Sequence, residues 1–204
     1  LATNAATRVL DEGGNAADAA IAAAFMLAVV EPTMSSIGGR NQILVRRSNG
    51  EFLGYDGMTE VPAGYVAPAE APAQGYATIA IPGVVAALAR LHEEQGLLPL
   101  ADLLAPAITT AEQGFGILPA EAARHARALK LIKDNPGFQR TFLRDGRVHA
   151  PGERLRQPIL GKTLRQLSVA GLGDFYKGET ARAIAADMRG NGGFVTQADL
   201  ASYK

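Results

Sequence analysis

The most distinctive segment of the chain is residues 13–40, GGNAADAAIAAAFMLAVVEPTMSSIGGR, which combines a turn, a nearly uncharged helix and a glycine-rich loop. Between Ala16 and Val30 only Asp18 is charged, and most positions are alanine, the strongest helix former. A helix that is apolar on all sides belongs in a core. Asn15 or Asp18 is suited to capping its start, because a short side-chain oxygen accepts unpaired backbone N–H groups. Pro32 ends it, since proline disfavours helix in the residue before it.

A hairpin is predicted directly after the glycine-rich loop at 35–39. Residues 42–47 and 51–55 are both strand-like, and Asn49 and Gly50 lie between them. An Asn-Gly turn between two such runs is a strong hairpin signal. We therefore expect two antiparallel strands here.

The rest of the chain is mostly helical by its apolar periodicity and its glycine and proline positions. Helices are predicted at residues 2–10, 82–95, 100–113, 119–133, 162–170, 179–189 and 197–202, with a short strand at 76–81. Residues 56–72 and 134–158 read as irregular. The pattern predicts an α+β fold or a layered α/β/β/α design, and 204 residues are enough for one domain, 1–204.

Composition excludes several classes of function. The 20 basic and 20 acidic residues balance, so no basic surface suggests nucleic acid. The absence of cysteine excludes disulfides and a cysteine nucleophile. The apolar run Ala16–Val30 is shorter than the ~20 residues of a membrane span, so none is expected.

No metal or cofactor site is predicted either. His92, His125 and His149 lack metal-ligand spacing, and each is expected to be hydrogen-bonded or exposed rather than a ligand. The loop at 35–39 lacks the glycine spacing and lysine of a phosphate-binding loop.

Several motifs in a fixed order closely resemble the γ-glutamyltransferase family. The first are GGNAADAAIAAAF at 13–25, VVEP at 29–32 and SSIGG at 35–39. Later ones are IPGVVA at 81–86, LAPA at 104–107, AEQGF at 111–115, FYKG at 175–178, NGGFVT at 191–196 and DLASYK at 199–204. The resemblance covers essentially the whole chain.

This resemblance implies an N-terminal-nucleophile hydrolase that cuts itself into a large and a small subunit. Its nucleophile is a threonine at the new N-terminus of the small subunit, whose own α-amine serves as base. The match ends before the family's cleavage site, so we expect a helix-rich large-subunit portion with no catalytic residue. The expected partners are the small subunit of the same precursor and a small-molecule amide substrate. Relatives occur both exported from bacteria and in the cytoplasm, so the compartment stays open.

One large-subunit arginine of the family grips the α-carboxylate of the γ-glutamyl group, a role suited to a bidentate guanidinium. The family pattern is roughly Asp-Phe-Arg-Glu-x-Ala-Pro, and the matching residues 56–62 read DGMTEVP. Met58 therefore stands where arginine is expected, and a thioether cannot pair with a carboxylate. The family also extends its Ile-Gly-Gly run with more glycine, whereas this chain has Arg40 and Asn41.

We hypothesise that Arg40 supplies the missing cation; the alternative is a solvated charge at the start of a strand. The expected function is hydrolysis or transfer of an acyl group from an amide through an acyl-threonine ester. Three alternatives remain: a γ-glutamyl enzyme, an oxamate- or cephalosporin-type amidase or acylase of the same family, and a non-catalytic scaffold relative.

Overall fold

The structure, a computed structural model, describes residues 1–67, 69, 70, 72 and 74–204; Pro68, within the irregular segment predicted at 56–72, lies outside them. The helices are α1 (Ala2–Asp11), α2 (Ala16–Val30), α3 (Val84–Gln95), α4 (Leu100–Gln113), α5 (Pro119–Arg127), α6 (Leu129–Asp134), α7 (Pro136–Phe142), α8 (Pro158–Ala170), α9 (Asp174–Lys177), α10 (Glu179–Gly190) and α11 (Gln197–Ser202). The strands are β1 (Asn41–Arg46), β2 (Phe52–Gly57), β3 (Phe115–Gly116), β4 (Leu143–Arg144), β5 (Arg147–Val148) and β6 (Arg154–Leu155). They form the antiparallel pairs β1–β2, β3–β6 and β4–β5. The predicted α+β class is confirmed.

The chain divides into two compact units, each made of two stretches of sequence. The first unit comprises residues 1–36 and 98–165, and the second comprises residues 37–97 and 166–204. The expectation of a single domain stays a prediction. Within the described residues, no helix is both long and apolar enough to cross a membrane.

Helix α2 forms the centre of the first unit and is capped as predicted. The Asn15 side chain accepts hydrogen bonds from the N–H groups of Ala17 and Asp18, at 2.8 and 3.0 Å. The Asp18 carboxylate accepts the N–H of Asn15 in return, at 3.0 Å, which completes a capping box. Both predicted caps therefore act together, and the helix needs no distant residue to start.

The same helix packs against α1 and α4 along its length. Ile21, Phe25 and Val29 are fully buried. Burying a side chain of this size contributes roughly 1.5–3 kcal/mol. The turn before α2 is equally tight, because a Cβ on Gly14 would lie 2.7 Å from a methyl group of Val9. Most of the apolar helix is thus buried, while Ala16 and Ala20 are exposed.

The second unit is built on the β1–β2 hairpin, with α3 packed against both strands and α9, α10 and α11 packed together. The register runs from Asn41↔Gly57 to Arg46↔Phe52. The hairpin turns where it was predicted, and Gly50 has φ +87° there. Its N–H bonds to the Arg47 carbonyl at 3.0 Å.

Three sequence-based assignments were wrong or incomplete. The strand predicted at 76–81 is instead a 3₁₀ turn, Tyr76–Thr78, and only Ile81 pairs, with Glu60. The helix predicted at 119–133 is broken at Ala128 into α5 and α6. The segment predicted as irregular contains α7, because Asn135 caps its first turn by accepting the Phe138 N–H.

Candidate functional site

The hairpin brings the two candidate residues, Arg40 and Met58, to the same end of its ladder. The last pair is Asn41↔Gly57. Arg40 directly precedes β1 and Met58 directly follows β2, so the two residues flank this last pair.

The backbone beside Arg40 is fixed to the start of α3. The carbonyl of Gly39 accepts the N–H groups of Gly83 and Val84, at 3.1 and 3.2 Å. These are among the donors that a helix start leaves unpaired. The Arg40 side chain itself is exposed, and in the described part of the chain it makes no hydrogen bond or ion pair. This guanidinium is available to an anion, which is compatible both with carboxylate binding and with a solvated charge.

Met58 also has a fixed backbone and a partly open side chain. Its N–H bonds to the Asp56 carboxylate at 3.2 Å, and its carbonyl accepts the Tyr203 hydroxyl. The side chain is 36% exposed. Two residues later, Glu60 pairs with Ile81 through both backbone hydrogen bonds, at 3.2 and 2.8 Å. The backbone of Met58 is thus fixed at the open end of the hairpin.

Gly57 allows this end of the hairpin to pack closely against α3. A Cβ at this position would collide with the Asn41 side-chain oxygen and lie 2.9 Å from the Gly83 carbonyl. It would also lie 2.8 Å from the Cβ of Ala87. The Asn41 oxygen is buried and, within the described residues, has no hydrogen-bond partner. Residue 57 is therefore restricted to glycine both by the Asn41 side chain and by the start of α3.

Sequence reasoning missed Tyr203 as a neighbour of Met58. The two are 145 residues apart, and their hydrogen bond joins a hydroxyl to a main-chain carbonyl. Burial raises the pKa of Tyr203, and the nearby Glu60 and Asp56 carboxylates raise it further. The hydroxyl therefore stays protonated at neutral pH and can donate. No local sequence signal marks this contact.

The prediction for His125 was wrong. The ring is buried, and neither of its nitrogens has a hydrogen-bond partner in the described part of the chain. It packs against the Phe142 ring at a centroid distance of 4.9 Å, on the inner side of α5. Its Nε2 lies 3.5 Å from the buried carboxylate of Glu121. Burial lowers the pKa of His125, although Glu121 opposes this shift.

The buried carboxylate of Glu121 is stabilised by hydrogen bonds from other residues. It accepts both the N–H and the hydroxyl of Thr33, at 2.9 and 2.7 Å, and one N–H of Arg124 at 3.0 Å. The group therefore has a structural role, linking α5 to the segment after α2. Across the described residues, no group of three or more His, Asp or Glu side chains is arranged to hold a metal ion.

Comparison with known proteins gives a consistent result. The family model described as gamma-glutamyltranspeptidase matches residues 2–204. The chain is 34% identical to the glutathione hydrolase proenzyme of Pseudomonas sp. (strain A14), covering 100% of this chain and 37% of the relative. It is 36% identical to the oxamate amidohydrolase proenzyme of Klebsiella pneumoniae, covering 100% of this chain and 41% of the relative. The chain thus spans about two fifths of the length of these relatives.

Solved structures agree with these matches. The gamma-glutamyltranspeptidase of Helicobacter pylori superimposes with a TM-score of 0.95 at 32% identity, covering 100% of this chain and 61% of that one. The cephalosporin acylase of Bacillus halodurans superimposes with a TM-score of 0.92 at 34% identity, covering 100% of this chain and 40% of that one. With the fold matched throughout and the family model matched from residue 2 to residue 204, the chain belongs to the γ-glutamyltranspeptidase family.

Proposed function

We propose that the complete protein is an N-terminal-nucleophile amide hydrolase or acyl transferase whose acyl donor carries a carboxylate. This chain would contribute the large-subunit part, and Arg40 would bind that carboxylate. The glutathione hydrolase and oxamate amidohydrolase relatives support this class. Their named substrates share one feature: an amide whose acyl part bears a carboxylate.

The observation that carries the proposal is an exchange of residues across the hairpin. The family pattern has glycine where this chain has Arg40 and Asn41. It has phenylalanine where this chain has Gly57, and arginine where this chain has Met58. In this chain, large residues occupy the start of β1 and the position before it, whereas β2 ends in glycine. Because Asn41 and Gly57 are paired and Arg40 and Met58 flank this pair, the departures from the family pattern lie side by side at one end of the hairpin.

This exchange supports the transfer of the cation from one strand to the other. Arg40 directly precedes Asn41, the partner of Gly57, and Met58 at the family's arginine position directly follows Gly57. An arginine side chain is long enough to span neighbouring strands. A guanidinium pairs with a carboxylate through two parallel hydrogen bonds. Met58 would then form an apolar wall of the acyl site instead of binding the charge.

The mechanism assigned to the complete protein runs through an acyl-enzyme. The hydroxyl of the small-subunit threonine attacks the amide carbonyl, and its own α-amine accepts the proton. The amine part of the cleaved amide leaves with a proton. Water or a second amine then attacks the ester and releases the acyl group. In this scheme Arg40 orients the acyl donor and transfers no proton.

The experiment compares Arg40→Ala with Arg46→Ala in the complete, self-processed protein. Arg46 is an exposed arginine on the same hairpin, at the far end of β1. Arg40→Ala should lower kcat/KM for a γ-glutamyl anilide or for oxamate about 10- to 100-fold, the value of a charged hydrogen bond of roughly 1.5–3 kcal/mol. Arg46→Ala should stay within about twofold of the parent, because surface substitutions have small effects. Equal kinetics for the two variants would contradict the role of Arg40.

A second candidate function is an amidase for acyl groups without a carboxylate, as in the family's cephalosporin-type enzymes. The partly exposed Met58 thioether at the expected arginine position favours it. In that case Arg40→Ala leaves turnover unchanged, and the best donors are apolar amides. A non-catalytic scaffold is tested separately: it predicts an uncut chain, so two subunits, the smaller beginning with threonine, would rule it out.

A further inference from the structure

Two stacked tyrosines support the end of the hairpin that carries Met58. The rings of Tyr176 and Tyr203 are 5.4 Å apart and nearly parallel, with an interplanar angle of 21°. Tyr176 is buried; its hydroxyl donates to the Pro82 carbonyl at 2.8 Å and accepts the Ala86 N–H at 3.0 Å. It therefore completes the start of α3, and Tyr203 is stacked on this fixed base.

Tyr203 joins that base to the strand end. Its hydroxyl donates to the Met58 carbonyl. A Cβ on Gly83 would collide with this hydroxyl and with the carbonyl of Gly57. The strand end, the helix start and the tyrosine hydroxyl therefore meet where no side chain fits. A change in any one of them would displace the other two.

A second connection runs from the same C-terminal segment to the residues after Met58. The Asp199 carboxylate accepts the Ala63 N–H at 3.0 Å and also closes the capping box of α11 with Thr196. Residues 58 and 63 are therefore both held by residues 199–203. Glu60, which lies between them in sequence, is paired with Ile81. The segment is fixed at three points, each by a group distant in sequence.

We propose that Tyr203 is a positioning residue for the acyl site, holding Met58 at a set distance across the hairpin end from Arg40. This inference rests on the proposed function, because it assigns Met58 to the wall of the acyl pocket. Loss of the hydroxyl would free the Met58 carbonyl and let the thioether shift relative to Arg40. The consequence is altered discrimination between acyl donors, beyond any loss of stability.

The test measures a selectivity ratio in the complete, self-processed protein: kcat/KM for a γ-glutamyl anilide divided by kcat/KM for an anilide lacking the carboxylate. Tyr203→Phe should change this ratio about three- to tenfold, the value of one net hydrogen bond. The matched control is Tyr76→Phe, which removes a hydroxyl that donates to the Asp187 carboxylate at 3.0 Å in the same unit. The control should keep the parental ratio even where its Tm falls. Equal changes of the ratio in both variants would mean general loosening and would overturn the inference.

The variant Met58→Arg distinguishes a failure of the proposed function from a failure of the positioning role of Tyr203. A changed ratio in Met58→Arg with a parental ratio in Tyr203→Phe overturns the positioning role alone. A parental ratio in Met58→Arg removes Met58 from the acyl site, and the inference falls with that part of the proposed function. If Tyr203→Phe fails to self-process, its two subunits are expressed as separate chains and the ratio is measured in the reassembled enzyme. A parental ratio there overturns the inference.

Discussion

Helix α2 and the open end of the β1–β2 hairpin are close in sequence, yet they are stabilised in different ways. The start of α2 is satisfied within four residues, because Asn15 and Asp18 bond to each other's backbone. The hairpin end relies on groups from much further along the chain, at Gly83 and Tyr203. An element can therefore be predicted from local sequence only where its polar groups find local partners.

The largest expected effect is in the helix. Phe25→Ala removes a fully buried ring from the centre of α2 and should lower the free energy of unfolding by about 3–5 kcal/mol. Urea denaturation of the complete protein measures it. Ala20→Ser, on the exposed side of the same helix, is the control and should change stability by less than about 0.5 kcal/mol. Similar losses for both would show that α2 is not buried as described.

The next largest effect is expected at Gly57, at the end of the hairpin. It distinguishes the need for close packing against α3 from the effect of glycine on strand stability. Gly57→Ala places a methyl group against the Gly83 carbonyl and the Ala87 side chain, at 2.9 and 2.8 Å. Overpacking of this kind should cost about 1–3 kcal/mol. It should also raise KM for the acyl donor, since it displaces Met58.

Gly54→Ala is the matched control on the same strand, because a Cβ there meets nothing within 4 Å. Both unfolding midpoints and KM values are compared with those of the parent. If Gly54→Ala were as harmful as Gly57→Ala, glycine itself would be needed in β2, and the close approach to α3 would lose its significance.

The smallest expected effect concerns the buried His125 of the first unit, whose environment the sequence did not predict. Burial lowers the folded-state pKa of His125 below its ordinary value near 6.5, so the unfolded chain binds the proton more readily. The stability from the neutral ring is therefore present above pH 6.5 and is lost as the pH falls through the lowered pKa. Burial and His149 both disfavour the charged ring, whereas Glu121 favours it.

His125→Leu, which keeps the site apolar, should flatten the dependence of the unfolding midpoint on pH between about 7 and 5. His92→Leu is the comparison variant, since His92 lies on another helix and is only half-buried. Thermal unfolding across this pH range measures both. An unchanged slope in His125→Leu would contradict a neutral, buried ring.

Local signals predicted a large part of the fold. The limits of α4 follow from Pro99 and Gly114, and the hairpin turn follows from Gly50. The start of α2 follows from the Asn15 side chain acting on nearby backbone groups. The predicted strand at 76–81 failed for the complementary reason. A strand needs a partner along its length, and only Ile81 has one in the described residues.

Residue order and contacts that span a few positions were enough to predict family membership, the α+β class and the identity of Arg40 and Met58 as departures from the family pattern. Only the folded chain shows that these two residues flank the last pair of one hairpin, and that Tyr203 bonds to the backbone of Met58. Register and long-range hydrogen bonds join main-chain groups that every residue carries, so the residue types leave no mark of which distant groups will pair.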